Sequence, residues 1–258
     1  MVKFTIATCT YNAAQELPAT LESVRGQKYR DVEHLIVDGA SKDDSLNILL
    51  RYKSQNDAME NCLDVKIISE PDNGLYEAMN KALRHATGDY ILFLNSGDRL
   101  HDEETLTRIA EIAEQSDVMP GVIYGFTNIV DHSGSFVRKR RLEPPAELHW
   151  TSFKSGMLVC HQAFFASTKL TPQCMYNLSY RFSADYDWCI RIMKESDRQG
   201  LPLANSNIVV ADYLEGGMTK RNHRKSLIER FKIMSVHYGL LSTIWHHAYF
   251  VIRLIFKK

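Results

Sequence analysis

The chain has 258 residues, 31 Lys and Arg against 31 Asp and Glu, and is 45% apolar. That composition excludes a disordered chain, a coiled coil and a collagen-like repeat, and zero net charge gives no global electrostatic case for nucleic-acid binding. The length fits one large α/β domain or two small ones.

Residues 4–9 are a short apolar run, the first predicted strand. Leu17, Leu21, Val24 and Lys28 then mark one helical face. Residues 35–37 form a second strand that ends at Asp38. A helix is predicted over 43–55, with Leu46, Leu49 and Leu50 inward. A strand at 65–68, a helix at 75–86, a strand at 90–94 and a helix at 103–115 follow. Continuous apolar strands alternating with amphipathic helices predict a Rossmann-like, mostly parallel sheet with helices on both faces. Residues 121–182 are less regular, with strands at 122–124 and 136–138 around a turn at 131–134. Beyond them come a helix at 185–198, a strand at 208–213 and a basic helix at 222–237. No repeat or flexible linker interrupts the chain, so one domain with a C-terminal extension is expected.

Ligands of such sheets bind beyond the carboxyl ends of the strands. The segments there are Thr8-Cys9-Thr10-Tyr11-Asn12, Asp38-Gly39-Ala40-Ser41, Ser69-Glu70-Pro71-Asp72-Asn73-Gly74 and Asn95-Ser96-Gly97-Asp98. All four are polar, small or glycine-bearing. Neither a dinucleotide G-x-G-x-x-G nor a Walker loop is present, nor H-E-x-x-H, nor G-x-S-x-G. A divalent cation held by Asp is then the obvious device for any diphosphate. Five cysteines without a C-x-x-C pair argue against a disulfide framework or a thiolate zinc site and fit a reducing cytosol. The opening MVKFTIATCTYN lacks the pattern of a signal peptide, so a cytoplasmic location is expected.

Six strings in order resemble family 2 inverting glycosyltransferases of the GT-A fold, in their bacterial polysaccharide branch. They are Thr8–Ala13, Ile36–Ser45, Glu70–Lys81, Gly88–Asp98, Ser183–Trp188 and Gly216–Thr219. The resemblance implies a GT-A domain over 1–235, with a nucleotide-sugar half at 1–115 and a mixed-sheet acceptor half at 116–235. It makes Asp38 the carboxylate that accepts from a nucleotide base, with Tyr11 beside the base and Thr10 and Asn12 nearby. By chemistry alone Asp38 could equally cap a turn, and Tyr11 could pack in the core. Asp72 and Asn80 belong to the segment over nucleotide and sugar, although Asp72 also sits before a turn signal. Asn95-Ser96-Gly97-Asp98 stands where the family has a metal-binding D-x-D. Asn95 replaces the first acid, so Asp98 is the expected ligand of Mn2+ or Mg2+, with Asn95 and Ser96 toward the substrate.

Asp185 is implied as the base that deprotonates the acceptor hydroxyl, with Asp187 in support. A spacing of two on a helix turns the two carboxylates about 200° apart, so they should not share one task. His161 is expected on the acceptor side, and Gly217 and Thr219 in a segment closing over the diphosphate. The implied donor is a nucleoside-diphosphate sugar, uridine diphosphate first. The implied acceptor is a hydroxyl of a glycan or lipid-linked acceptor. A sugar-nucleotide nucleotidyltransferase and a non-catalytic nucleotide-sugar- or glycan-binding protein are the rival readings.

Residues 220–258 carry nine Lys or Arg against one Glu. The tail at 236–258 is aromatic, apolar and basic, but too mixed to span a bilayer. It is expected at the inner face of the cell membrane, or packed on the domain or on a second subunit of a homodimer. Arg138-Lys139-Arg140-Arg141 adds a second basic patch.

Overall fold

A computed structural model describes residues 1–216 and 222–255. The expected parallel half is present. Strands β1 (Phe4–Thr10), β2 (Val32–Asp38), β3 (Asp64–Ser69) and β4 (Tyr90–Phe93) lie in the order β3-β2-β1-β4, all parallel. Helices α1 (Leu17–Arg25), α2 (Ser45–Asp57) and α3 (Leu75–His85) connect them, and α4 (Thr105–Gln115) follows the short β5 (Arg99–Leu100).

The second half extends the same sheet. It adds β6 (Val122–Val130), β7 (Phe136–Lys139), β8 (Phe164–Ser167) and β9 (Leu203–Leu214), giving β3-β2-β1-β4-β8-β6-β9-β5 with β7 paired to β6. Here β4–β8, β6–β8, β6–β7 and β5–β9 are antiparallel, while β6–β9 is parallel. Strand residues alternate between two cores because successive side chains leave opposite faces. Phe4, Ile6, Ile36 and Leu92 feed one core; Ala7, Cys9, Leu35, Val37 and Phe93 feed the other. Helix α5 (Ala184–Arg198) brings Trp188 into the second core, where it stacks on Tyr176 at 4.9 Å.

Three differences from the sequence reading have physical causes. Helix α2 begins at Ser45, whose hydroxyl accepts from the Ala13 N–H at 3.0 Å. That phase puts Ser45, Leu49, Tyr52 and Asn56 inward and leaves Leu50 54% exposed. Strands β5 and β8 were not expected; β5, with two residues, is too short to show a period. The basic patch also divides. Arg140 donates to the carbonyls of Leu142, Met157 and Leu158, whereas Arg138 pairs with Glu215 at 3.2 Å.

Helices α6 (His223–Tyr238) and α7 (Leu240–Ile255) form the C-terminal segment. Tyr238 stacks on Trp150 at 5.6 Å and donates its hydroxyl to the Trp150 carbonyl. Phe231 of α6 meets His247 of α7 edge-on at 5.0 Å. Leu241, Ile244 and Trp245 of α7 are exposed. No helix among the described residues is long and apolar enough to cross a membrane. Tail residues 256–258 lie outside the described residues.

Candidate active site

The loops after β1, β2, β3 and β4 open onto a cleft with two lobes that share Tyr11. The larger lobe, about 600 Å³, is lined by Thr10, Asn95, Asp98, His161 and Asp185 among others. The smaller, about 420 Å³, lies between Gly39-Ala40 and Pro71–Gly74. Tyr11 is 58% exposed at their junction, so it is no core residue.

Hydrogen bonds tie the first two loops together. Asn12 adopts φ 48°, a conformation Asn tolerates better than most residues. Its side-chain oxygen accepts from the Lys42 N–H at 2.8 Å, and its own N–H donates to the Ser41 hydroxyl at 2.9 Å. The Ala14 N–H reaches Asp43 at 3.0 Å. Asp38 lies beneath this joint with no exposed surface. Its carboxylate accepts from the Ser41 N–H, the Ser41 hydroxyl and, at 2.7 Å, the Ser69 hydroxyl. The expectation that Asp38 meets a base therefore encounters a carboxylate already enclosed by donors.

Asp98 is 4% exposed. One oxygen accepts from Gln162 Nε2 at 2.8 Å and the other from the Leu214 N–H at 3.0 Å. Burial pushes its carboxyl up to about 6, against the pull of those two hydrogen bonds. In the same lobe, Thr10 Oγ1, Asn95 Oδ1 and Ser96 Oγ are buried without a hydrogen-bond partner. One carboxylate with neutral oxygens is a donor set that fits a hard cation, which takes its remaining ligands from phosphate and water. Among the described residues no group of three or more His, Cys, Asp and Glu forms a complete protein cage.

Asp185 stands in the first turn of α5. One oxygen accepts from the Tyr76 hydroxyl at 3.1 Å, and the other lies 3.2 Å from His161 Nδ1. The Asn95 side-chain nitrogen, which can only donate, lies 3.1 Å from His161 Nε2. The His161 proton therefore sits on Nδ1 and is donated to Asp185. Burial pushes the Asp185 carboxyl up, but the His161 hydrogen bond and the Arg230 charge outweigh it and hold the group below the usual range.

Two expected site residues lie elsewhere. Asp187 is turned away from the cleft into a buried pair with Arg191 at 2.7 Å and His237 at 2.8 Å, as helix geometry requires. Asn80 brackets Tyr176, donating to its carbonyl and accepting from its N–H, so it fastens α3 to the chain before α5. Gly217 and Thr219 lie outside the described residues. Tyr76 was not expected to reach Asp185, nor Gln162 to reach Asp98. Each is adjacent to a motif residue, but only the fold shows where its polar end goes.

A mostly parallel sheet with an antiparallel extension, and carboxylates converging from separate loops on one open cleft, defines a GT-A glycosyltransferase. The Glycosyl transferase family 2 model matches residues 5–170. A PGL/p-HBAD biosynthesis glycosyltransferase of Mycobacterium tuberculosis is 35% identical over 244 residues, 92% of this chain and 86% of its own. The amylovoran biosynthesis glycosyltransferase AmsB of Erwinia amylovora is 26% identical over 223 residues, covering 81% and 70%. S. aureus TarS 1–349, solved with UDP-GlcNAc, superposes with TM-score 0.68 at 18% identity, over 91% of this chain and 65% of that one. The mannosyltransferase PcManGT of Pyrobaculum calidifontis, solved with GDP-Man and Mn2+, gives 0.61 at 15% identity, over 96% and 74%. The chain belongs to glycosyl transferase family 2 and is a glycosyltransferase.

Proposed function

We propose that the cleft moves a hexosyl or N-acetylhexosaminyl unit from a nucleoside-diphosphate sugar to a hydroxyl of a growing glycan, with inversion. The observation that carries this reading is Asp185, half-buried at the larger lobe and held by Tyr76 and His161 with its carboxylate ionised. The acceptor hydroxyl gives its proton to Asp185 as its oxygen bonds to the anomeric carbon. The bond from that carbon to the diphosphate oxygen breaks on the opposite face, and the electron pair leaves with the diphosphate. Tyr76 and His161 hold the carboxylate toward the attacking oxygen. Mn2+ or Mg2+ held by Asp98, with Asn95 and Ser96 oxygens, would neutralise charge on the departing diphosphate.

The names of the relatives support an acceptor in cell-surface polysaccharide or glycolipid assembly. A lipid-linked acceptor at the inner membrane face agrees with the exposed Leu241, Ile244 and Trp245 of α7, which sit in a strongly basic tail. Turnover of Asp185→Asn, measured beside donor binding, tests the proposal. Retained binding with lost transfer supports it; a fully active variant places the base elsewhere. Binding without transfer by the wild type to any glycan acceptor would favour a binding protein.

A further inference from the structure

Asp185 stands in the first turn of α5, but the chain leading into that turn, residues 177–183, has no strand or helix of its own. Its backbone donors need partners from elsewhere. Glu229 of α6 supplies them: Oε1 accepts from the Arg181 N–H at 2.8 Å and Oε2 from the Phe182 N–H at 2.8 Å. Ser183 occupies the N-cap position of α5, where a serine ordinarily accepts from its own helix, yet it makes no such bond. Its hydroxyl, with no exposed surface, lies 2.8 Å from the Ser226 hydroxyl of α6. Ser226, Glu229, Arg230 and Ile233 share one face of α6 through their i, i+3, i+4 and i+7 spacing. Ile233 anchors that face in the core that also takes Trp188, and Arg230 lies over the Tyr186 ring at 5.8 Å. Residues 181, 182 and 183 are thus held in turn by α6, and Phe182 lines the larger lobe together with Asp185.

Resting on the reading of Asp185 as the base, we propose that Glu229 is a positioning residue for the transfer reaction. It fixes the entry of α5 and so holds the Asp185 carboxylate between Tyr76 and His161. Two neighbouring N–H donors suit a carboxylate, whose two oxygens both accept; an amide offers one acceptor and sets its own N–H against the second donor. Glu229 acts through the backbone of residues 181–183, not on the reacting atoms. A helix of the C-terminal extension, outside the matched residues 5–170, therefore completes the catalytic turn.

The ring-nitrogen NMR resonances of His161 in the full chain test this, because Nδ1 lies 3.2 Å from Asp185. In Glu229→Gln they should move toward their positions in Asp185→Asn, while the calorimetric Kd for UDP with Mn2+ stays within about threefold of the wild type. The kcat for transfer should fall about tenfold or more, since a displaced base loses its alignment. Ser226→Ala leaves every charge in place and should move the same resonances in the same direction by less. Tyr238→Phe loosens α6 at its far end, where the hydroxyl reaches the Trp150 carbonyl, and should lower Tm with the His161 resonances unmoved. Unmoved resonances in Glu229→Gln and Ser226→Ala overturn the assignment, and so does an equal movement in Tyr238→Phe. If Glu229→Gln does not fold, Ser226→Ala decides alone. The two failures are read separately: unmoved resonances count against Glu229, and a fully active Asp185→Asn enzyme counts against Asp185 as the base.

Discussion

Asn95 donates its side-chain amide to Nε2 of His161 across 3.1 Å. That contact gives a reason for an amide where the family pattern has an acid. A carboxylate at position 95 can only accept, so it would compete with Asp185, 3.2 Å from the other ring nitrogen, for the imidazole proton. The same amide leaves Asn95 Oδ1 unpartnered for a cation or substrate.

Asn95→Asp should therefore not act as a repair of the metal motif. We expect kcat to fall about tenfold or more, as the orientation of the general base is lost. Steady-state transfer assays check this, and an equal or higher kcat would show that the His161 proton does not serve Asp185.

Asp185→Asn and Asp187→Ala should fail in different ways. The first should lose about 10²–10⁴ in kcat while the donor Kd changes by less than about threefold. The second removes the partner of Arg191 and His237 inside the protein, at a cost of about 3 kcal/mol. Its folded fraction should keep transferring sugar. Loss of transfer in both variants with unchanged melting would refute this separation.

Asp187 also makes stability pH-dependent. Burial pushes its carboxyl up, but the His237 hydrogen bond and the Arg191 charge outweigh it and lower the group below its ordinary 3.8. The contribution is full above 3.8 and is lost as pH falls below that value toward the folded one. Acid melts of the wild type and Asp187→Ala should therefore converge below pH 3.8.

Asp98 should behave in the opposite sense. Its raised carboxyl, about 6, means that holding the charge costs the folded state at neutral pH. Asp98→Asn should raise Tm at pH 7 in the absence of divalent cation while abolishing Mn2+-dependent donor binding. Thermal melts and calorimetry read the two effects, and retained Mn2+ dependence would remove Asp98 from the site.

The tail should be cut after Tyr238, because His237 holds Asp187 and Tyr238 holds Trp150. Removing residues 239–258 is expected to release the protein from anionic vesicles with donor binding intact. Co-sedimentation at the wild-type level would leave α7 as a packing or subunit-contact helix.

Buried strands such as Phe4–Thr10 and Val32–Asp38 declare themselves in sequence, because both faces need apolar residues and period and length are local properties. The loops that follow them, hence the cleft, were legible for the same reason, and so were the separate directions of Asp185 and Asp187. Which polar side chains face the cleft was not local. Asp38 is enclosed by Ser41 on the loop after β2 and Ser69 at the end of β3, while Asp72 fills the place beside Gly39. Asn95, His161 and Asp185 meet from three segments that only the sheet order β4-β8-β6 and the packing of α5 bring together. The alternating elements, the family and the chemical types at the strand ends are written in the local order of residues. The tertiary structure decided their partners, since a carboxylate's role depends on which donors from distant segments reach it first.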